Sequence, residues 1–217
     1  MDSLSRLDPV EVKGGAPEEP SIDINQVHLK LPAIKNRNHP ELKSVQSLDK
    51  YYIDILSNQV RESIVNAVWN QLLREVFQYP DFVLAPEYYT TNNQRVDLVP
   101  CGRTFKAQNP LVPVFAYEGK KGPIGDAEWL QAIEQAAGYL PYIYRLKNGR
   151  YYGMVCAGRG VIILEFMPGG GHNQVLQVVG PNLLTDVTYN YQIWDIHFQA
   201  EKIDIILGAI LQEVYKS

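Results

Sequence analysis

The stretch "RVDLVPCGRTFKAQNPLVPVFAYEGKKG", Arg95 to Gly122, contains two apolar runs that are separated by a polar loop. Each run carries charge inside it: Asp97 lies in the first, and Glu118 and Lys120 lie in the second. A buried carboxylate or ammonium costs several kcal/mol unless it is paired or holds a metal. The stretch therefore predicts two strands whose charged side chains need a common explanation.

Strand geometry indicates how these charges meet. Side chains two apart on a strand point to the same face, so Glu118 and Lys120 project together, with Gly119 between them. Asp97 is a lateral neighbour of this pair if the hairpin register allows.

Two carboxylates in close proximity repel each other, and a hard divalent cation such as Mg²⁺ makes both ionised states tolerable. A lysine beside them orients or deprotonates a water, or stabilises the charge developing on a phosphate. The pattern outlines a site for phosphodiester hydrolysis.

Composition limits the partners that such a site can have. The chain has 217 residues, of which 46% are hydrophobic, and this length predicts one domain with a sizeable core. Its 20 Lys and Arg against 24 Asp and Glu give a net charge of −4, so a polyanion must be met by a local basic patch. Seven basic residues in expected loops are candidates for that patch, although each is otherwise a solvated surface residue: Arg103, Lys106, Lys121, Arg145, Lys147, Arg150 and Arg159.

Several classes of protein are disfavoured by the sequence. Cys101 and Cys156 lack CxxC spacing and the four histidines are scattered, so no zinc site is expected. The first residues lack the pattern of a signal peptide, and no apolar run of about 18 residues occurs. We therefore expect an intracellular protein, of cytoplasm or nucleus, that has no membrane partner.

The periodicity predicts the following elements. Residues 1–21 read as a flexible tail, and residues 22–217 as one domain. Apolar residues at spacings of three and four predict one long helix from Tyr51 to Gln78, which Pro80 ends. Three short runs then predict an antiparallel meander of strands: "FVLAPEYYTT", "RVDLV" and "VPVFAYEGK".

The second half of the chain continues the alternation of helices and strands. A helix from Asp126 to Tyr144, with Asp126 as its N-cap, follows the meander. "YYGMVCAGRGVIILEFMP" predicts two strands around a tight turn, "NQVLQVVG" another strand, and "QAEKIDIILGAILQEVYK" a closing helix. The order predicts an α/β fold with a central mixed sheet flanked by helices.

These elements and charges resemble the PD-(D/E)XK nuclease superfamily, which has the restriction-endonuclease-like fold. Its pattern is an Asp on the second core strand, Glu-x-Lys on the third, and a helix afterwards. Asp97 in "VD", and Glu118 and Lys120 in "YEGK", match this pattern, and the helix "AEWLQAIEQAAGYL" follows. The resemblance implies that these three residues are catalytic. It also implies that Asp97, Glu118 and the carbonyl of Gly119 bind Mg²⁺ or Mn²⁺.

The following helix extends the resemblance. Gln135 and Tyr139, one turn apart, look like the Gln-x-x-x-Tyr element of the RecB-like branch, and Gln131 can share their face. With Lys121, these residues are the expected nucleic-acid contacts. Members commonly add an acidic metal ligand from the first helix, for which Glu62 is the candidate and Glu75 the fallback.

The resemblance covers about Tyr51 to Phe166, and Val96 stands where the named motif has Pro. It implies a metal-dependent nuclease that hydrolyses DNA or RNA, with DNA the expected partner. The alternative is a catalytically inactive module of the same fold that binds nucleic acid or a protein. A homo-oligomer also remains open. In a purely structural alternative, Glu118 and Lys120 form an exposed pair at a strand end and Asp97 lies on a solvated face.

Overall fold

The structure of the chain is a computed structural model that describes residues 43–78, 80–90, 93–103, 111–139, 142–143, 149–167, 174–180, 183–186 and 191–217. The tail predicted over residues 1–21 lies outside these residues, as do Lys106, Arg145 and Lys147 of the predicted basic patch.

The described residues form helices α1 (Lys50–Leu56), α2 (Glu62–Val76), α3 (Asp126–Tyr139) and α4 (Ala200–Lys216). They also form strands β1 (Phe82–Tyr89), β2 (Arg95–Arg103), β3 (Leu111–Pro113), β4 (Ala116–Lys120), β5 (Tyr151–Ala157), β6 (Gly160–Met167), β7 (Gln174–Gly180), β8 (Leu183–Asp186) and β9 (Trp194–Asp195). None of the helices in the described ranges is long and apolar enough to span a membrane.

One mixed sheet contains all the described strands. Its order is β1-β2-β4-β5-β6-β7-β8, with β3 beside β2 and β9 beside β6. Strand β4 pairs antiparallel with β2 and parallel with β5, and the connection between these parallel strands carries α3. The other strand pairs are antiparallel. The predicted α/β class, with a central mixed sheet flanked by helices, is confirmed.

The two faces of the sheet carry different helices. On β5, Met154 and Cys156 belong to the buried cluster that includes the apolar residues of α2 and α4. Val155 and Ala157, which alternate with them, pack instead with Trp129 and other residues of α3. Because strand side chains alternate between faces, α2 and α4 cover one face and α3 covers the other. Both faces of β5 are therefore buried.

The long helix predicted from Tyr51 to Gln78 is wrong, because two helices occupy this range. The first ends at Leu56, and the second begins at Glu62. Between them, Val60 forms a bridge to Gly122 through two backbone hydrogen bonds of 3.2 and 3.3 Å. The apolar spacing continues across the break because both helices bury residues in the same cluster. Periodicity alone therefore cannot reveal the interruption.

Smaller differences concern the ends of elements. The predicted strand "VPVFAYEGK" is interrupted between β3 and β4, although the Val114 N–H still donates to the Pro100 carbonyl at 2.9 Å. Within the described residues helix α3 runs from Asp126 to Tyr139, and Tyr142 and Ile143, which lie inside the predicted extension to Tyr144, are not α-helical. Asp126 is the first residue of this helix rather than its cap. Strands β8 and β9 were not predicted.

Candidate active site

The pairing of β2 with β4 brings the two carboxylates of the opening stretch together. Leu98 pairs with Tyr117 in antiparallel register, and the same register places Asp97 opposite Glu118. Residues opposite each other on neighbouring strands have side chains on the same face. The backbone N–H of Gly119 donates to Oδ2 of Asp97 at 2.9 Å. The lateral approach of Asp97 to the Glu118 and Lys120 pair is thus present.

Lys120 is held between its own strand and α3. Its Nζ lies 2.6 Å from Oε1 of Glu118 and 2.9 Å from Oε1 of Gln135. The side chains of Lys120 and Glu118 are 25% and 3% exposed, and Asp97 is 8% exposed. These charges are not an exposed pair beside a solvated aspartate, so the purely structural alternative does not describe them.

Two side chains one turn apart on α3 complete this network. The Gln135 side-chain amide donates to the hydroxyl of Tyr139 while its oxygen accepts from Lys120. The Tyr139 hydroxyl also lowers the pKa of Glu118. Even so, Oε2 of Glu118 accepts no hydrogen bond of normal geometry from the residues that the structure describes. A buried carboxylate oxygen without a donor calls for an explanation, and a bound ion or water is one that would satisfy it.

Opposing effects set the charge of Glu118. Burial and the nearby negative charge of Asp97 raise its pKa to about 7, although hydrogen bonding and charge attraction from Lys120 act in the opposite direction. Burial penalises a charged carboxylate because the interior solvates it poorly. Desolvation and carboxylate repulsion therefore outweigh the ion pair, and a further cation at this position would relieve both.

The packing on the other face of β4 explains why residue 119 is a glycine. The hydroxyl of Tyr117 donates to Oδ1 of Asn66, on α2, at 3.1 Å. A Cβ added at Gly119 would lie 1.7 Å from the same Asn66 oxygen and 2.8 Å from the Tyr117 hydroxyl. The pKa of Tyr117 is raised well above its ordinary value, by burial first and also by the charges of Cys156, Asp97, Glu118 and Glu62. This face is therefore closely packed behind the carboxylates.

The remaining predicted site residues surround a cavity of about 430 Å³ at the end of β4. Its lining is polar apart from one isoleucine: Arg61, Glu62, Lys120, Lys121, Ile124, Glu128, Gln131 and Gln135. Lys121 pairs with Glu128 at 3.5 Å, and both side chains are largely exposed. The structure thus gathers Glu62, Gln131 and Lys121 around the end of Lys120. In the part of the chain that the structure describes, none of these three forms a hydrogen bond or salt bridge with Asp97 or Glu118.

The fallback residue Glu75 lies elsewhere. It is in the last turn of α2, whereas Glu62 is the first residue of the same helix. At 1.5 Å per residue, their positions are about 20 Å apart along the axis. Glu75 lines a separate groove between α1 and α2. Of the two acidic candidates, only Glu62 is on the side of Lys120.

The donor set can be compared with the needs of a metal ion. In the described ranges, no three His, Cys, Asp or Glu side chains gather as a metal-binding group. Mg²⁺, however, keeps several waters and is usually bound through one or two carboxylates. Asp97 and Glu118 supply two, and the buried Oε2 of Glu118 has no hydrogen-bond donor of normal geometry among the described residues. The oxygen chemistry fits a hard divalent cation.

Sequence reasoning missed three contributors to this site. Asn66 and Tyr117 pack behind Gly119, and Nη2 of Arg95 lies 3.9 Å from Oδ1 of Asp97. A glycine inside a strand signals a close approach, but it does not identify the residue that approaches. Arg95 had a clearer signal, because it lies two residues before Asp97 on one strand and so on the same face.

Comparison of the chain with protein families, curated proteins and solved structures finds no match.

Proposed function

We propose that this chain is a metal-dependent nuclease with a core of the restriction-endonuclease type. The observation that carries the proposal is the convergence of two buried carboxylates and a lysine from neighbouring strands, with Gln135 of α3 bonded to that lysine. The element order α2, β1, β2, β3, β4, α3, β5, in which β3 is a three-residue strand beside β2, also supports the order implied by the resemblance.

The carboxylates of Asp97 and Glu118, with the carbonyl of Gly119, are the proposed ligands of Mg²⁺ or Mn²⁺. When bound, such an ion neutralises the two carboxylates and polarises a phosphoryl oxygen. Glu62 is the proposed additional acidic group at the mouth of the same site. Asp97 is fixed for this role because its Oδ2 already accepts from the Gly119 N–H.

The hydrogen-bond capacity of Lys120 defines its proposed role. An ammonium has three N–H donors and no acceptor. Two donors are directed to Glu118 and Gln135, and the third remains for a water or a phosphate oxygen. Fixed in this way, Lys120 orients the attacking water or stabilises the charge that develops on the phosphate. Gln135 and Tyr139 act through Lys120 and are positioning residues.

The proposed substrate is nucleic acid, with DNA as the first choice and RNA as the alternative. The cavity at the end of β4 is lined by three cations, Arg61, Lys120 and Lys121, against the two carboxylates of Glu62 and Glu128, and this local excess of positive charge contrasts with the net charge of −4. Gln131 lines the same cavity and offers an uncharged polar contact.

The second candidate function is an inactive module of the same fold that binds nucleic acid or a protein. The acidic balance of the chain favours it, and so does the salt bridge that partly neutralises Lys120. The two candidates differ in what the loss of Lys120 would change.

Cleavage of labelled single-stranded and duplex DNA and RNA with Mg²⁺, Mn²⁺ or EDTA tests the proposal. We expect Lys120→Ala to lower the turnover rate by about two to four orders of magnitude, while substrate binding survives. Lys50→Ala, an exposed lysine at the start of α1, is the matched control and should cleave normally. Absence of cleavage by the unchanged protein with both metals and all substrates would leave only the module. In that case Lys120→Ala would merely give a shallower salt dependence of binding.

A further inference from the structure

A second cavity, of about 350 Å³, lies at the same edge of the sheet as the end of Lys120. Lys120 pairs with Ala157 on the parallel strand β5, and Arg159 follows two residues later in the turn to β6. Ile124 lines both this cavity and the one that contains Lys120. The second cavity is therefore adjacent to the proposed cleavage site.

One wall of this cavity is the segment 191–195, which hydrogen bonds hold in place. The side-chain amide of Gln177, a fully buried residue on β7, donates to the Gln192 carbonyl at 2.6 Å and accepts from the Gln192 N–H at 2.7 Å. Asp195 pairs with Gly160 in the β6–β9 ladder. A Cβ added at Gly160 would lie 2.8 Å from both Ile193 and Trp129. The wall is thus held by contacts within the protein itself.

The chemistry of the lining combines apolar walls with one cation. Ile124, Trp129 and Ile193 supply apolar surface, and Arg159 and Asp195, which also line the cavity, form a salt bridge of 2.8 Å.

The guanidinium of Arg159 also lies 5.7 Å from the ring centroid of Phe198. Phe198 is 74% exposed, more than any other large apolar side chain in the described ranges. An exposed aromatic ring, a cation and an apolar cavity are the elements that bind unpaired bases.

We propose that this cavity and Phe198 bind one unpaired nucleotide of the substrate strand, next to the phosphate that is cut. The position beside the cut rests on the proposed nuclease function. A volume of about 350 Å³ is at the small end of ligand pockets, which suits a single nucleotide. A base within a duplex is paired and stacked, so it offers no free face to Phe198. The substrate class is therefore single-stranded nucleic acid, or a strand with an unpaired segment.

The test is binding of DNA oligonucleotides that contain the fluorescent base 2-aminopurine, measured in EDTA so that no cleavage occurs. We expect the single strand to bind with a change in fluorescence as the base stacks. Phe198→Ala should raise its Kd by about 5- to 150-fold, the range for the loss of one base–aromatic stack, and should remove most of the fluorescence change. The Kd of the fully paired duplex should change less than about twofold.

Tyr51→Ala is the matched control, because Tyr51 is an aromatic residue that is 66% exposed but lines the groove between α1 and α2. It should leave both Kd values unchanged. A second variant, Ile193→Trp, fills the cavity from its wall and should weaken single-strand binding in the same way as Phe198→Ala. Because Phe198 is exposed, its replacement does not threaten the fold.

The outcomes separate this inference from the nuclease proposal. If the protein cuts DNA in a Lys120-dependent way but Phe198→Ala binds single strands normally, the inference is overturned and the nuclease stands. If single strands bind through Phe198 but are never cut, the nuclease fails and the nucleotide site stands. Tight binding of duplex alone, or no binding of single strands by the unchanged protein, also overturns the inference.

Discussion

Gly119 lies between the two charged side chains of β4, and the space that a side chain would occupy belongs to Asn66. The glycine lets α2 approach the strand closely, and its N–H fixes Asp97 on the other side. A single residue without a side chain thus links the packing of one sheet face to the geometry of the carboxylates on the other.

We predict that Gly119→Ala destabilises the protein by about 1–3 kcal/mol, because the new methyl group overpacks a closed space. Urea unfolding of the variant measures this loss. Gly125→Ala is the comparison variant and should cost less than Gly119→Ala, because a Cβ there meets nothing within 4 Å and only the poorer fit of alanine at the residue before α3 remains.

The double variant Gly119→Ala, Asn66→Ala identifies the cause. Truncation of Asn66 removes the oxygen 1.7 Å from the added Cβ. Gly119→Ala should therefore cost less stability in the Asn66→Ala background than in the unchanged protein. Equal costs of Gly119→Ala in the two backgrounds would show that the clash with Asn66 is not responsible.

Among the elements, α4 uses one buried carboxylate to hold the segment that precedes α1. Asp204 is fully buried, and its two oxygens accept from the backbone N–H groups of Val45 and Gln46, both at 2.9 Å. Burial, and to a smaller extent Glu75, raise the pKa of Asp204, although these hydrogen bonds lower it. The segment 43–47 is therefore held to α4 by hydrogen bonds to a carboxylate whose charged form is disfavoured by burial.

The pH dependence of this link follows from the direction of the pKa shift. A folded-state pKa above the unfolded value means that the folded state holds the proton more tightly. The contribution of Asp204 to the free energy of unfolding is therefore full below its ordinary pKa and is lost as pH rises through the raised folded pKa. We predict that the stability difference between the unchanged protein and Asp204→Ala shrinks across this window and is constant at higher pH.

Urea unfolding at a series of pH values from about 4 upwards measures this difference for the two proteins. Glu118 and Glu165 also have raised pKa values, but they titrate in both proteins and their effects cancel in the comparison. A difference that grows as pH rises would mean that hydrogen bonding to the carboxylate, rather than its burial, dominates at Asp204.

At the scale of the whole molecule, α4 buries one side against the sheet and exposes the other. Ile206 is fully buried in the cluster shared with α2 and β5, whereas its neighbour Ile205 is 48% exposed. This alternation follows the helical period of the sequence.

We predict that Ile206→Ala lowers the free energy of unfolding by about 2–5 kcal/mol, the cost of a large cavity in a core. Ile205→Ala makes the same chemical change at an exposed position and should cost less than about 0.5 kcal/mol. Denaturant unfolding of both variants measures the contrast. If the two variants lost similar amounts of unfolding free energy, the buried face of α4 would differ from the one that the structure shows.

The fold and the candidate site were predictable from the sequence to different extents. Alternation and turns predicted the longer strands, and the spacing of Glu118 and Lys120 predicted a shared direction. The break between α1 and α2 was not predictable, because it depends on the pairing of Val60 with Gly122, more than sixty positions later. Strand β9 has two residues and exists through its pairing with β6, a tertiary contact that leaves no local pattern. The position of Asn66 behind Gly119 is likewise set by packing alone.

The place of α4 in the chain has a consequence for synthesis. The residues of the candidate site are complete at Tyr139, whereas α4 begins at Ala200, after all the described strands. At about 5–20 residues per second, a ribosome needs on the order of 3–12 seconds to cover that interval. During this time the nascent chain already carries its paired charges, but the apolar sheet face that α4 covers is still open to water. A chaperone that binds exposed apolar surface would therefore meet this chain before residues 200–216 are available, and release it when α4 docks.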